Sequence, residues 1–194
     1  LFRVNASAVE RELQHVVASI IIQLNPLEQS SVAQAMMSSP QALALQLEHM
    51  AVRREGLQRA ALAARRAADL GLRPTKLNGL LTLVGEFSRS RPKDWRVIVF
   101  TTRKETQAAI VSTLLKEGVS VGTIKGGQPR ENAAAIRGFS EDPPRSNVLV
   151  STDSGAEGVN LQAANVVVNF DLPWNPMVVE QRIGRVQRLA SKHE

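Results

Sequence analysis

From Trp95 onward, short apolar runs alternate with stretches of helical period. Arg96 to Phe100 (RVIVF) is a continuous apolar run, as a strand covered on both faces requires. Lys104 to Lys116 repeats at helical spacing through Ala108, Val111, Leu114 and Leu115, and Gly118 predicts its stop. Val119 to Ile124 reads as a short strand, and Arg130 to Phe139 as a helix after a Gly-Gly-Gln-Pro turn. Two more apolar strands, Asn147 to Ser151 and Val166 to Phe170, precede a closing helix over Pro176 to Leu189. This order predicts an α/β fold: a mainly parallel sheet with right-handed crossovers and helices on both faces. In such sheets function collects beyond the carboxyl ends of the strands, here from Thr101, Lys125, Thr152 and Asp171.

Residues 1 to 73 carry helical patterns and no strand pattern, so the chain divides into a helical extension (1–73) and an α/β domain (74–194). Asn25-Pro26 and Ser38-Ser39-Pro40 mark helix starts, because a residue before proline leaves the α region. From Gln41, Leu43, Leu47, Met50, Leu57, Ala61, Ala64 and Ala68 form one amphipathic helical stripe, broken at Arg54. The opposite face carries Arg53, Arg59, Arg65 and Arg66, either a solvated face or a nucleic-acid contact. After Pro74 a helix buries Leu77, Leu80, Leu81 and Val84, with Gly85 to Lys93 as its exit.

Composition adds limits. The chain of 194 residues is 43% hydrophobic and 22% charged, ordinary for a soluble globular protein. No apolar run approaches a membrane span, and no signal-peptide pattern opens the chain. The absence of cysteine removes disulfides and thiolate metal sites, which points to an intracellular, cytoplasmic setting. A net charge of +6, mostly from arginine, suits a polyanionic partner without requiring one. A start at Leu1 and a stop just after a basic helix read as fragment boundaries.

The closing helix holds the richest chemistry. At 100° per residue Val179, Ile183, Val186 and Ala190 fall on one side, and Gln181, Arg185 and Arg188 almost opposite. Gly184 keeps that surface low. Two guanidiniums on one rigid element suit a phosphate clamp, and equally an exposed basic helix with surface ion pairs. Ser151 to Leu161 (STDSGAEGVNL) follows a buried strand, with two glycines for a tight path. Thr152 and Ser154 can bond backbone or phosphate oxygens, and Asn160 a sugar hydroxyl; a plain glycine turn between strands fits the same residues. Asp153 and Glu157 have no histidine near them, so neither a metal nor an acid–base site is predicted.

Together these segments resemble a known family. RVIVFTTRKET resembles helicase motif IV, STDSGAEGVNLQAANVVVNFDLPWNP motif V with its following strand, and QRIGRVQR motif VI. The Asp-Leu-Pro-Trp-Asn-Pro link resembles Swi/Snf-type superfamily-two ATPases, including the bacterial RNA-polymerase-recycling branch. The resemblance covers about residues 74–190 and implies the second RecA-like, P-loop-NTPase-type lobe of an ATP-dependent DNA translocase or helicase; residues 1–73 would match its helical protrusion.

By position, the resemblance makes Arg185 and Arg188 arginine fingers and Gln181 the residue coupling nucleotide to lobe closure. Gly158, Asn160 and the adjoining Glu157 match motif V positions near the nucleotide. Thr101, Thr102, Thr152 and Ser154 would face the nucleic-acid backbone. ATP and Mg²⁺ would be bound mainly by the missing first lobe, and duplex DNA, that lobe and a remodelled protein complex are the implied partners. Three departures stand out. The segment from Lys125-Gly126-Gly127 to Phe139 is one residue short, Asn132 replaces a frequent arginine, and Leu-Ala-Ser follows Arg188 in place of Ile-Gly-Gln. The sequence holds no G-x-x-x-x-G-K-[ST] loop and no Asp-Glu pair after a buried strand, which predicts that this stretch alone does not hydrolyse ATP. The alternatives are a non-catalytic binding module built on the same lobe, and a Rossmann-type nucleotide enzyme, which lacks its G-x-G-x-x-G turn here.

Overall fold

Helix starts in the first part of the chain are set by side chains that satisfy free backbone amides. Ser7 accepts from the Glu10 amide while Glu10 reaches back to the Ser7 amide, a capping box that opens α1 (Ala8–Ile21). Asn25 and Glu28 repeat it for α2 (Pro26–Ser38), with Pro26 in the first turn, and Ser39 caps α3 (Pro40–Ala51) ahead of Pro40. The computed structural model describes residues 5–70, 73–156 and 158–186. It divides the chain into two compact units, Leu1–Gly79 and Leu80–Glu194.

The helical unit corrects one expectation. The stripe from Leu43 to Ala68 is two helices, α3 and α4 (Gln58–Asp69), separated by Arg54 in extended conformation and a 3-10 turn at Glu55–Leu57. The reversal lets Leu43 and Leu47 share a core with Ala60, Ala61, Ala64 and Ala67, which one continuous helix would carry away from each other. Leu13, Val17, Ile20 and Val32 from α1 and α2 complete that core. Arg65, read as part of a free basic face, forks onto Glu48 through Nε (2.6 Å) and Nη2 (2.5 Å) and ties the two helices together.

α5 (Thr75–Ser90) buries Leu77, Leu80 and Val84, and it continues as helix through Gly85, which was expected to begin its exit. The α/β unit then follows the expected order: β1 (Val97–Thr101), α6 (Lys104–Lys116), β2 (Val121–Ile124), α7 (Pro129–Ser140), β3 (Val148–Thr152), β4 (Val166–Asn169) and α9 (Pro176–Val186). One short helix, α8 (Asp153–Ala156), was not foreseen between β3 and β4. All strand pairs are parallel, in the order β2-β3-β1-β4. Ile98, Phe100 and Leu149 share one core with Phe139 of α7, Leu161 and Val186 of α9. The alternate residues Val97, Val99, Val148 and Val150 are also fully buried, and α6 packs along β1, β2 and β3 with Ile110 and Leu114 inside. The amino ends of the strands are clasped by Asn147, whose amide donates to the Trp95 carbonyl, and by Asn165, which bonds the Asp94 carbonyl and the Arg96 amide.

Candidate functional site

The chain leaves β1 toward β2 and leaves β3 toward β4, in opposite directions along the sheet. The carboxyl ends of the neighbours β1 and β3 therefore form the topological switch point, where open parallel sheets place ligands. Register sets Thr101 directly beside Thr152 at this edge.

Thr101 does not offer itself to a ligand, contrary to expectation. It is fully buried, and its hydroxyl donates to Asp171 Oδ2, which also accepts the Thr102 amide at 3.2 Å. Its role is to seat the segment after β4 against β1. Thr102 is half-buried at the rim, and Ser154 is exposed with its hydroxyl 3.4 Å from that of the buried Thr152. The α8 turn lies hard against the end of β2: a Cβ on Gly155 would sit 2.8 Å from the Ile124 carbonyl oxygen and 3.0 Å from Lys125 N. Gly158 then takes φ +72°, a left-handed turn open to glycine at no steric cost.

Beyond that turn, the Leu161 amide donates to the Arg185 carbonyl at 3.3 Å, which sets the Gly158–Leu161 loop beside α9. Asn160 is exposed, and its side chain bonds the amide and side chain of Gln162 (both 3.1 Å). On α9, Gln181 is exposed and Arg185 half-buried one turn later, so both share an accessible face. Glu157 and Arg188 lie outside the described residues.

The buried stripe of α9 differs from the expected one. Ile183 is 38% exposed, whereas Arg182 is 2% exposed and sits one turn from the buried Val186. Arg182 Nε donates to Asp153 Oδ1 (2.8 Å), with Nη2 2.7 Å from the same oxygen. Nη1 donates to Asn169 Oδ1 (2.7 Å) and to the Asp171 carbonyl (3.0 Å). The guanidinium lies 5.2 Å from the centre of the Phe100 ring, within cation–π range. Such a charge is buried only because it is paired and hydrogen-bonded. The sequence held a signal for it: Arg182 falls at i+3 from Val179 and i−4 from Val186, an arginine inside the apolar ridge.

A groove of about 810 Å³ runs from this edge between α6 and β2, lined among others by Lys104, Val111, Leu115, Lys125, Gly126 and Thr152. Gln107 is buried at its inner wall and donates to the Ile124 and Val150 carbonyls (2.8 and 2.9 Å), joining α6 to the end of β2 and the middle of β3. Asn132 is buried and clamps the Lys125 backbone in both directions, accepting from its amide (2.9 Å) and donating to its carbonyl (2.7 Å). This departure from the family's arginine thus shapes the turn after β2. Among the described residues no three of His, Cys, Asp and Glu form a metal cluster, and no helix is long and apolar enough to cross a membrane.

The four-stranded parallel sheet with its flanking helices is the fold of RecA-like helicase lobes. The chain belongs to the helicase conserved C-terminal domain family, whose model matches residues 75–190, more than half its length. It is 39% identical over 101 residues to an uncharacterized ATP-dependent helicase, YqhH, of Bacillus subtilis (strain 168), a match covering 52% of this chain and 18% of that protein. The RNA polymerase-associated protein RapA of Vibrio campbellii is 34% identical over 124 residues, 62% of this chain and 12% of that protein. The chain therefore spans less than a fifth of the length of either relative. Among solved structures, the C-terminal part of the Fun30 ATPase domain matches with TM-score 0.65 at 15% identity, over 98% of this chain and 79% of that one. The E. coli DEAD-box protein SrmB matches at 0.52 and 29% identity, over 61% and 66%. The expected RecA-like α/β fold and the Swi/Snf-type resemblance, including its bacterial branch, are borne out.

Proposed function

We propose that this chain is the second motor lobe of an ATP-dependent DNA translocase, with Arg185 and Arg188 as fingers for the transferred phosphoryl group. The observation that carries the reading is the bond from the Leu161 amide to the Arg185 carbonyl, which ties the turn ending at Leu161 to the part of α9 that bears Arg185. The face of Gln181 and Arg185 offers guanidinium and amide donors, a set that fits phosphate oxygens and a sugar hydroxyl. ATP with Mg²⁺, bound mainly by the first RecA-like lobe, supplies the phosphoryl group. Closure of the lobes brings the fingers to it, and Arg185 stabilises the charge that develops there. Cycles of closure step the lobe along duplex DNA through phosphate contacts at Thr102 and Ser154, with the buried Thr152 supporting Ser154 from behind, and binding is weakly dependent on sequence and sensitive to salt. Translocation, not strand separation, is the expected output, applied inside the cell to DNA carrying a protein complex. Without the first lobe this stretch turns over no ATP.

The test uses the full-length protein, comparing ATP turnover with and without duplex or single-stranded DNA. DNA-stimulated turnover is expected, and Arg185→Ala should lower kcat by about 10³-fold, the lower range for an arginine finger, with DNA binding retained. Unchanged turnover in Arg185→Ala would remove the finger assignment. No ATP turnover in the full-length protein would favour a non-catalytic binding module.

A further inference from the structure

Two separate segments, the start of α8 and the end of β4, meet on the Arg182 guanidinium. Asp153 opens α8 directly after Thr152, Asn169 ends β4, and Asp171 follows it. Asp171 in turn holds the Thr101 hydroxyl and the Thr102 amide at the tip of β1. Arg182 itself lies on α9 between Gln181 and Arg185, pointing to the other side of the helix. The polar tips of β1 and β3 are thus connected, through one planar and permanently charged group, to the helix that bears the finger. Replacing Arg182 and Asp153 together by apolar side chains of similar volume is often neutral or stabilising, so stability alone does not account for a buried ion pair there. What an apolar side chain lacks is direction. Arg182 has fixed donors toward both segments, so α9 cannot shift without moving Asp153 and Asp171, and those segments cannot shift without moving α9.

We propose that Arg182 is a positioning residue that couples nucleic-acid contact at the Thr102 and Ser154 tips to the placement of Arg185, making ATP turnover respond to DNA. The inference rests on the motor-lobe reading above. Arg182 touches neither nucleotide nor nucleic acid; it acts through Asp153 and Asp171. By reciprocity of coupling, the same contacts make DNA affinity respond to bound nucleotide.

The test uses the full-length protein, ATP and linear duplex DNA, with kcat and KM for ATP measured without DNA and at saturating DNA. Two variants are compared with the parent. Arg182→Lys keeps the charge but loses the fork. Thr101→Val removes only the hydroxyl that holds Asp171, leaving the guanidinium in place. A purely structural role lowers the folded fraction, reducing basal and stimulated kcat together and leaving their ratio unchanged. The coupling role instead lowers that ratio by at least about fivefold, the lower end of typical coupling between sites, while KM for ATP stays within about twofold. A parent-like ratio in either folded variant overturns the inference, and Thr101→Val alone decides it if Arg182→Lys does not fold. If the parent itself shows no DNA stimulation, the motor-lobe reading falls and takes this inference with it.

Discussion

Replacing Gly155 and Gly85 by alanine, one at a time, should move stability in opposite directions. Both glycines are helical and lie in the unit Leu80–Glu194, so one unfolding transition reports on both. At Gly155 a new Cβ would stand 2.8 Å from the Ile124 carbonyl oxygen, 3.0 Å from its carbon and 3.0 Å from Lys125 N. All three are backbone atoms at the end of a fully buried strand position, so no flexible side chain can yield. Overpacking of this kind costs about 1–3 kcal/mol, and contact with three backbone atoms places it in the upper half. Alanine recovers up to about 1 kcal/mol of helix propensity, leaving a net loss of about 1–2 kcal/mol. Nothing lies within 4 Å of a Cβ at Gly85, so only the propensity gain remains there, about 0.5–1 kcal/mol. Urea unfolding followed by circular dichroism, with the slope checked for constancy, measures both. Gly155→Ala at or above parental stability would refute the claim that the α8 turn is wedged against β2.

The helical unit supports two further expectations and the α/β unit one. Partial burial raises the Glu10 carboxyl, but hydrogen bonds from Ser7 and Thr75 outweigh it and hold the pKa below the ordinary 4.5. A depressed carboxylate contributes stability above its unfolded pKa and loses it as pH falls through the folded value, so Glu10→Gln should flatten stability against pH below about 4.5; an unchanged acid slope refutes this. The Arg65 fork lowers the Glu48 pKa and raises its own, yet both groups are well exposed. A double-mutant cycle with Glu48→Gln and Arg65→Gln should give only about 0.2–1 kcal/mol, fading with salt; a larger, salt-independent coupling contradicts it. In the α/β unit, Gln107→Leu strips the Ile124 and Val150 carbonyls of this donor and should cost about 1–3 kcal/mol in urea unfolding; no loss would mean those carbonyls find another partner.

How much of this was legible in the sequence depended on the kind of signal. The succession of strands and helices followed from period and length, because the runs of β1 and β3 are buried on both faces and leave little choice. The limits of α6 were readable to the residue, with Gly118 at φ +74° ending it as expected. The break between α3 and α4 was not, since Arg54, Glu55 and Gly56 contain no proline and interrupt a stripe whose apolar spacing continues on both sides. There the tertiary gain of folding the alanine face back onto Leu43 and Leu47 decides, and local pattern does not carry that information.

The same contrast holds at the site. Gln181 and Arg185 were placed on one accessible face by helical geometry alone. Thr101 was misplaced, because a hydroxyl at a strand end reads equally as a ligand contact or as a partner for a buried acid 70 positions away. Arg182, Gln107 and Asn132 share a further property: each is a long or amide side chain that donates to a backbone carbonyl at or just past a strand end, Ile124 and Lys125 after β2 and Asp171 after β4. Those carbonyls exist in every parallel sheet and leave no mark in the one-dimensional pattern, so the side chains that satisfy them look like surface residues until the sheet is assembled. Carbonyls freed beyond the last ladder bond need donors, and the donors supplied here come from α6, α7 and α9, the helices that flank the switch point. The polar residues hardest to read from sequence are therefore those that hold the readable ones in place: Asn132 shapes the Lys125 turn, Gln107 backs the groove, and Arg182 seats the helix of Gln181 and Arg185.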